Sequence, residues 1–136
     1  MDGGFFPRIK TFSQRHRRYL AAVLREIVAH YGESLVGLAI FGSYARGENR
    51  LNSDLDLLII LDNAPGPGRR LREFVEEVEM KHEPLAQELY EREDLSCELS
   101  PYILTRQEAL KLHPIYYDLA EHCVVICDPE GLIARI

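Results

Sequence analysis

An α+β fold, or equally a mixed α/β one, is what this sequence predicts, and three observations carry the expectation. Apolar residues recur at helical spacing in two long segments, short apolar runs stand between and after them, and turn residues punctuate the chain. The resulting order is helix, strand, strand, helix, strand, helix, strand. A sheet with helices segregated to one side is the natural packing of that order. The length of 136 residues and the 46% hydrophobic content suit one globular domain over 1–136.

The first helix is written in Tyr19, Leu20, Val23, Leu24, Ile27, Val28 and Tyr31, with Gly32 as a natural residue past its C-terminus. Its start falls between Pro7 and Ser13. Arg15, His16, Arg17 and Arg18 read as a solvated helix face, or as a docking patch for an acidic partner or a polyphosphate. Leu35 to Phe41 is a buried strand that stops at Gly42-Ser43. Asp54 to Leu61 is a second, ending in the turn-rich stretch from Asp62 to Gly68.

Leu71, Phe74, Val75, Val78, Leu85 and Leu89 mark a second long helix, in which Pro84 predicts a kink or break. Its Glu76, Glu77, Glu79, Glu83, Glu88, Glu91 and Glu93 read as solvated surface. Leu95 to Leu104 is a third strand, and Pro101 suggests a bend or an edge position. Thr105-x-x-Glu108 is a capping box opening a short helix that stops at His113-Pro114. Ile115 to Glu121 is a brief helical piece, and Cys123 to Cys127 is a last short strand.

Charge narrows the function. Sixteen Lys and Arg against 22 Asp and Glu leave −6, so direct nucleic-acid binding is not expected. A phosphorylated small substrate stays open, because a few local donors and a metal can hold it. The apolar stretch Leu55 to Leu61 is far short of the roughly 20 residues of a membrane span, so no membrane partner is expected. Met1 to Pro7 has no basic or apolar signal region, and three cysteines cannot close a disulfide framework. A cytoplasmic location follows as the expectation. Cys123, Val125 and Cys127 are expected to share one strand face as small core residues, rather than to join His113 and His122 around a metal.

The chemistry concentrates between Phe41 and Asp56. Asp54 and Asp56 stand at i and i+2 of a strand, so both carboxylates project to one face. Held together they repel, and one pKa rises unless a cation sits between them. Such hard oxygens suit Mg²⁺, which binds through one or two carboxylates plus substrate phosphates. Gly42 after a strand lets the backbone turn close to a ligand, and the N–H groups near Ser43, with its hydroxyl, can face phosphate oxygens. Tyr44-Ala45-Arg46 starts a helical turn, and Arg46 offers a guanidinium either to phosphate or to Glu48. Only phosphate-plus-divalent-metal chemistry asks for the whole combination. Two metals can clamp attacking and leaving oxygens, and a third carboxylate holds one metal or accepts the proton. Glu98 is the candidate, on a strand whose other face is apolar.

Gly42-Ser43-x10-Asp54-x-Asp56 resembles the signature of the DNA polymerase beta-type nucleotidyltransferase superfamily. The fuller string GSYARGENRLNSDLDLLIIL is similar to its minimal nucleotidyltransferases (MNT). The resemblance implies a mixed sheet flanked by helices, Gly42 and Ser43 on NTP phosphates, and Asp54 and Asp56 on Mg²⁺. Glu98 falls where the family places its third carboxylate, often an aspartate. In-line attack on the α-phosphate of an NTP, with pyrophosphate leaving, is the implied reaction. Larger relatives add an acceptor domain, for which no room is expected before Ile136. Minimal members are typically paired with a helical HEPN-domain protein as toxin–antitoxin systems. The implied partner is thus a HEPN toxin whose tyrosine receives AMP from ATP, with this chain as antitoxin. Two other readings stand beside it: a nucleotide-binding antitoxin that neutralises by complex formation, and an antibiotic-type small-molecule transferase whose acceptor pocket is completed in a homo-oligomer.

Overall fold

Leu35–Phe41, taken as strand β1, is buried at every position, and its neighbours explain why. The computed structural model describes residues 7–111 and 113–136, so the signal reading of Met1 to Phe6 lies outside it. Strand β2 (Leu55–Leu61) runs antiparallel on one side of β1, and β4 (Val124–Cys127) runs antiparallel on the other. Strand β3 (Leu99–Thr105) completes the sheet beside β2 and parallel to it, giving the order β3-β2-β1-β4. A parallel pair needs a long crossover, here supplied by the helical stretch between β2 and β3.

Helices cover both faces of this sheet, not the single side expected. Helix α1 (Gln14–Tyr31) and residues Phe74, Val78 and Leu89 pack with Leu38, Ile40, Leu55, Leu57 and Ile59 on one face. Ala109, Leu132 and Ile133 pack with Val36, Ala39, Leu58 and Ile60 on the other. Two covered faces account for the near-continuous apolar runs of β1 and β2.

Helix α1 starts on Ser13, whose hydroxyl accepts the His16 N–H at 3.0 Å, and stops at Gly32, whose φ is +54°. Its basic cluster is partly consumed within the chain. Arg15 binds Glu88 at 3.1 Å and Glu93 at 2.5 Å, and His16 is fully buried. The segment read as a second long helix is four pieces. Helix α3 (Pro67–Phe74) continues through a wide turn at Val75–Glu79 and a tight one at Met80–His82 before α4 (Glu83–Glu93) begins. Pro84 stands in the first turn of α4, where its missing N–H costs nothing, so the expected break falls there. Leu71, counted with the apolar face, is 51% exposed instead. Glu79, counted as solvated, is half-buried.

Strand β3 begins at Leu99 rather than Leu95 and is an edge strand, which accommodates Pro101. The preceding residues hold the loop and start of β2: Ser96 N–H donates to Leu51 O at 2.9 Å, and Leu55 N–H donates to Glu98 O at 2.8 Å. The capping box forms as expected and opens α5 (Arg106–Ala109). Arg70 adds two bonds to Glu108, at 2.7 and 3.1 Å, and holds that carboxyl down at about 2. Helix α6 (Ile115–Glu121) and a terminal turn α7 (Leu132–Arg135) complete the second layer. The cysteine expectation is overturned: Cys123 packs on the second cluster, Cys127 on the first, and Val125 is 46% exposed. An irregularity in the β1–β4 pairing between Leu38 and Ala39 breaks the alternation there. Among the described residues, no helix is long and apolar enough to cross a membrane.

Candidate active site

The site begins where β1 ends. Gly42 opens the five-residue helix α2 (Gly42–Arg46) with φ at +72°, a conformation that side chains rarely adopt. Space imposes the same residue independently, because a β-carbon at Gly42 would meet the Asp56 carboxylate, 2.9 Å from its Cγ. The β1–β2 register pairs Phe41 with Asp56, which is what sets the Gly-Ser turn against D-x-D.

Asp54 stands just before β2 and Asp56 inside it, with the fully buried Leu55 between them. Burial, and then the Asp54 charge, push the Asp56 carboxyl above its ordinary range; the Ser100 side chain and Arg46 offset part of this. Ser100 is the β3 residue registered opposite Asp56. Crowded, hard carboxylate oxygens at the head of a rigid strand are the donor set a divalent magnesium ion accepts. Among the described residues, no three His, Cys, Asp or Glu side chains converge in a metal-holding cluster.

Glu98 therefore does not join the pair as an assembled third ligand. Its backbone is adjacent, bonded to Leu55, but its side chain lines a cavity of about 350 Å³ together with Glu79 and Glu83. Burial first, then Glu83 and Glu98, raise the Glu79 carboxyl.

A residue that sequence reasoning missed completes the other side. Asp118, on α6, accepts the Gly42 N–H at 3.0 Å and binds Arg46 Nη1 at 3.0 and 3.1 Å through its two oxygens. Arg46 also donates Nε to Glu48 at 2.8 Å, so its ion-pair reading holds alongside the contact to Asp118. An aspartate in a brief helix far along the chain carries no local signal of this. Its carboxylate occupies donors that the sequence reading assigns to phosphate.

Behind α2 lies a buried polar chain. Phe12 N–H donates to His16 Nδ1 at 3.1 Å, which leaves the ring proton on Nε2, 3.0 Å from the Tyr44 hydroxyl. The Tyr44 oxygen lies 3.4 Å from Cys97 Sγ. Burial lowers the His16 pKa and raises those of Tyr44 and Cys97. The turn that carries Ser43 is thereby tied to α1 and to the segment leading into β3.

The turn after β1 thus stands directly beside the Asp54–Asp56 pair at the end of a central strand. The chain belongs to the nucleotidyltransferase domain family, whose model matches residues 21–122. No curated protein matches the chain. Among solved structures, it is similar to the spectinomycin adenyltransferase AAD(9) of Enterococcus faecialis, solved with ATP and spectinomycin, with a TM-score of 0.52 and 21% identity. The match covers 71% of this chain and 37% of that one, so the chain spans little more than a third of that enzyme's length. Weaker likenesses are to a toxin–antitoxin structure with AMP-PNP (TM-score 0.49, 15% identity, 83% of this chain and 77% of that one) and to a toxin–antitoxin MntA–HpeT mutant (0.47, 14%, 82% and 75%).

Proposed function

We propose that this chain transfers a nucleoside monophosphate, AMP from ATP, to an acceptor hydroxyl, with Asp54, Asp56, Gly42, Ser43, Arg46 and Glu98 as its working residues. The observation that carries the reading is the packing of Gly42 against Asp56, which sets a phosphate-approaching turn directly beside a carboxylate pair. Asp54 and Asp56 would hold Mg²⁺, two ions when the nucleotide and the attacking oxygen are both in place. The metal supplies charge stabilisation at the phosphate oxygens. Gly42 N–H, Ser43 and Arg46 position the triphosphate. The acceptor oxygen forms its bond to the α-phosphorus as the bond to the departing pyrophosphate breaks, and Glu98 takes the acceptor's proton.

Resemblance of the segment from Gly42 to Leu61 to minimal nucleotidyltransferases supports the biological setting: an antitoxin that modifies a tyrosine of a HEPN-type toxin. Incubation with α-labelled ATP, Mg²⁺ and the co-purified partner tests it, the expected result being label on partner tyrosine. No transfer by the wild type, or equal transfer by Asp54→Ala, sinks it. That Glu98 forms no metal-holding cluster with Asp54 and Asp56 among the described residues favours one second reading, a nucleotide-binding antitoxin that neutralises without transfer.

A further inference from the structure

Between α6 and the turn at Gly42, a carboxylate of the chain itself stands where the proposed function places the triphosphate. One oxygen of Asp118 accepts the Gly42 N–H at 3.0 Å, and both oxygens accept from Arg46 Nη1, at 3.0 and 3.1 Å. A phosphate group would use the same two donors in the same charge-assisted way. Three features make the contact reversible. No residue of α6 is buried, and Ile115 and Leu119 pack only partly on the second cluster, so the helix yields at little cost in packing. The carboxylate is held against like charge, since Asp118 is among the groups that push the Asp56 carboxyl up. Arg46 also keeps a second carboxylate, Glu48 at 2.8 Å on Nε, whether or not Asp118 stays.

We propose that Asp118 is a built-in competitor for the turn at Gly42, and that it restricts the site to polyphosphates carrying a divalent metal. The inference deepens the transfer reading and rests on it for what occupies the turn. A tethered carboxylate competes at a high effective concentration, so a lone phosphate from solution gains too little at Gly42 and Arg46 to replace it. A polyphosphate with its metal has a second attachment, the Asp54–Asp56 pair directly beside the turn, and that attachment tips the exchange. The contact re-forms as pyrophosphate departs, which clears the turn after transfer. Gly42 N–H and Arg46 thus keep an anionic partner with the site full or empty. Asp118 is in this sense a specificity-determining residue and not a catalytic one.

The test is calorimetry on the full chain without nucleotide, with inorganic tripolyphosphate plus Mg²⁺ as one probe and orthophosphate as the other. The wild type is expected to bind the first and not the second. Asp118→Asn tightens tripolyphosphate by about tenfold, the effect of removing one charge-assisted competitor. Asp118→Ala, which removes both oxygens, repeats the gain. Glu48→Gln takes an equal charge from the same guanidinium but leaves Asp118 on Gly42, and it changes the affinity by less than about twofold. Unchanged or weaker binding in both Asp118 variants overturns the proposal. So does an equal gain from Glu48→Gln, which would make the effect one of general charge. Wild-type binding of orthophosphate as tight as that of tripolyphosphate, or no binding of tripolyphosphate to any form, overturns it as well. A gain from Asp118→Asn in a chain that transfers no label would overturn the transfer reading and leave the competitor standing.

Discussion

Gly42 presses its bare α-carbon against the carboxylate of Asp56, so closely that a β-carbon at residue 42 would lie 2.9 Å from Asp56 Cγ and nearer still to Oδ2. Its φ of +72° adds a second penalty to any side chain. Gly42→Ala is therefore expected to lose nucleotide binding and about 2 kcal/mol of stability, from overpacking together with backbone strain. Shortening the neighbour separates the two terms. Gly42→Ala with Asp56→Ala should regain part of the melting temperature and none of the binding, and strictly additive losses would show that the contact is relieved some other way.

Asp118 occupies the Gly42 N–H and Arg46 through its two oxygens, the donors that the proposed function gives to the triphosphate. On that proposal a nucleotide displaces it. Asp118→Asn keeps the shape and removes the charge. The expected outcome is roughly tenfold tighter binding of ATP by calorimetry, which corresponds to about 1.4 kcal/mol. Weaker binding would mean that Asp118 orients Arg46 for the nucleotide instead of excluding it.

Much of this site was legible because its signals are local. Strand β1 matches its expected bounds, and Gly42, Asp54 and Asp56 are placed by chain direction, alternation and one glycine. Residues whose role depends on what packs against them were not legible. His16 sits in a run of arginines, yet a helix face turns it inward to Tyr44. Glu79 looks like one of seven solvated glutamates, yet a wide turn half-buries it. Cys123 and Cys127 follow strand alternation in sequence, and a pairing irregularity sends them to opposite layers. Asp118 reaches Gly42 from a helix on the second sheet face, whereas the order of elements predicts helices on one side only.

The Asp56 carboxyl predicts a pH and metal dependence. Its folded pKa is raised, by burial first and by Asp54 next, so the native state keeps the proton to higher pH than the unfolded chain does. Stability from this group is present at low pH and is lost as pH rises through the ordinary carboxylate range to the raised folded value. At pH 7, Asp56→Asn should therefore melt higher than the wild type, by no more than about 1 kcal/mol because solvent screens a half-buried group. Millimolar Mg²⁺ should stabilise the wild type and not the variant. A wild type indifferent to Mg²⁺ would remove the metal from this pair.

The buried pair of His16 and Tyr44 predicts the opposite slope. Burial is the main cause that lowers the His16 pKa from 6.5, and Glu93 offsets part of it. The unfolded chain therefore takes up a proton before the native state does, so stability is present above about pH 6.5 and falls as pH drops below it. His16→Gln should flatten that fall in a series of urea melts between pH 7 and pH 5. Tyr44→Phe acts differently, since it leaves the His16 Nε2–H without its 3.0 Å partner at every pH. The expected cost is about 1–2 kcal/mol at pH 7, the penalty of an unsatisfied buried donor. Because burial, and not Tyr44, lowers the His16 pKa, the acid limb of the Tyr44→Phe variant should keep its slope. An acid limb unchanged in His16→Gln would assign the pH dependence to another group.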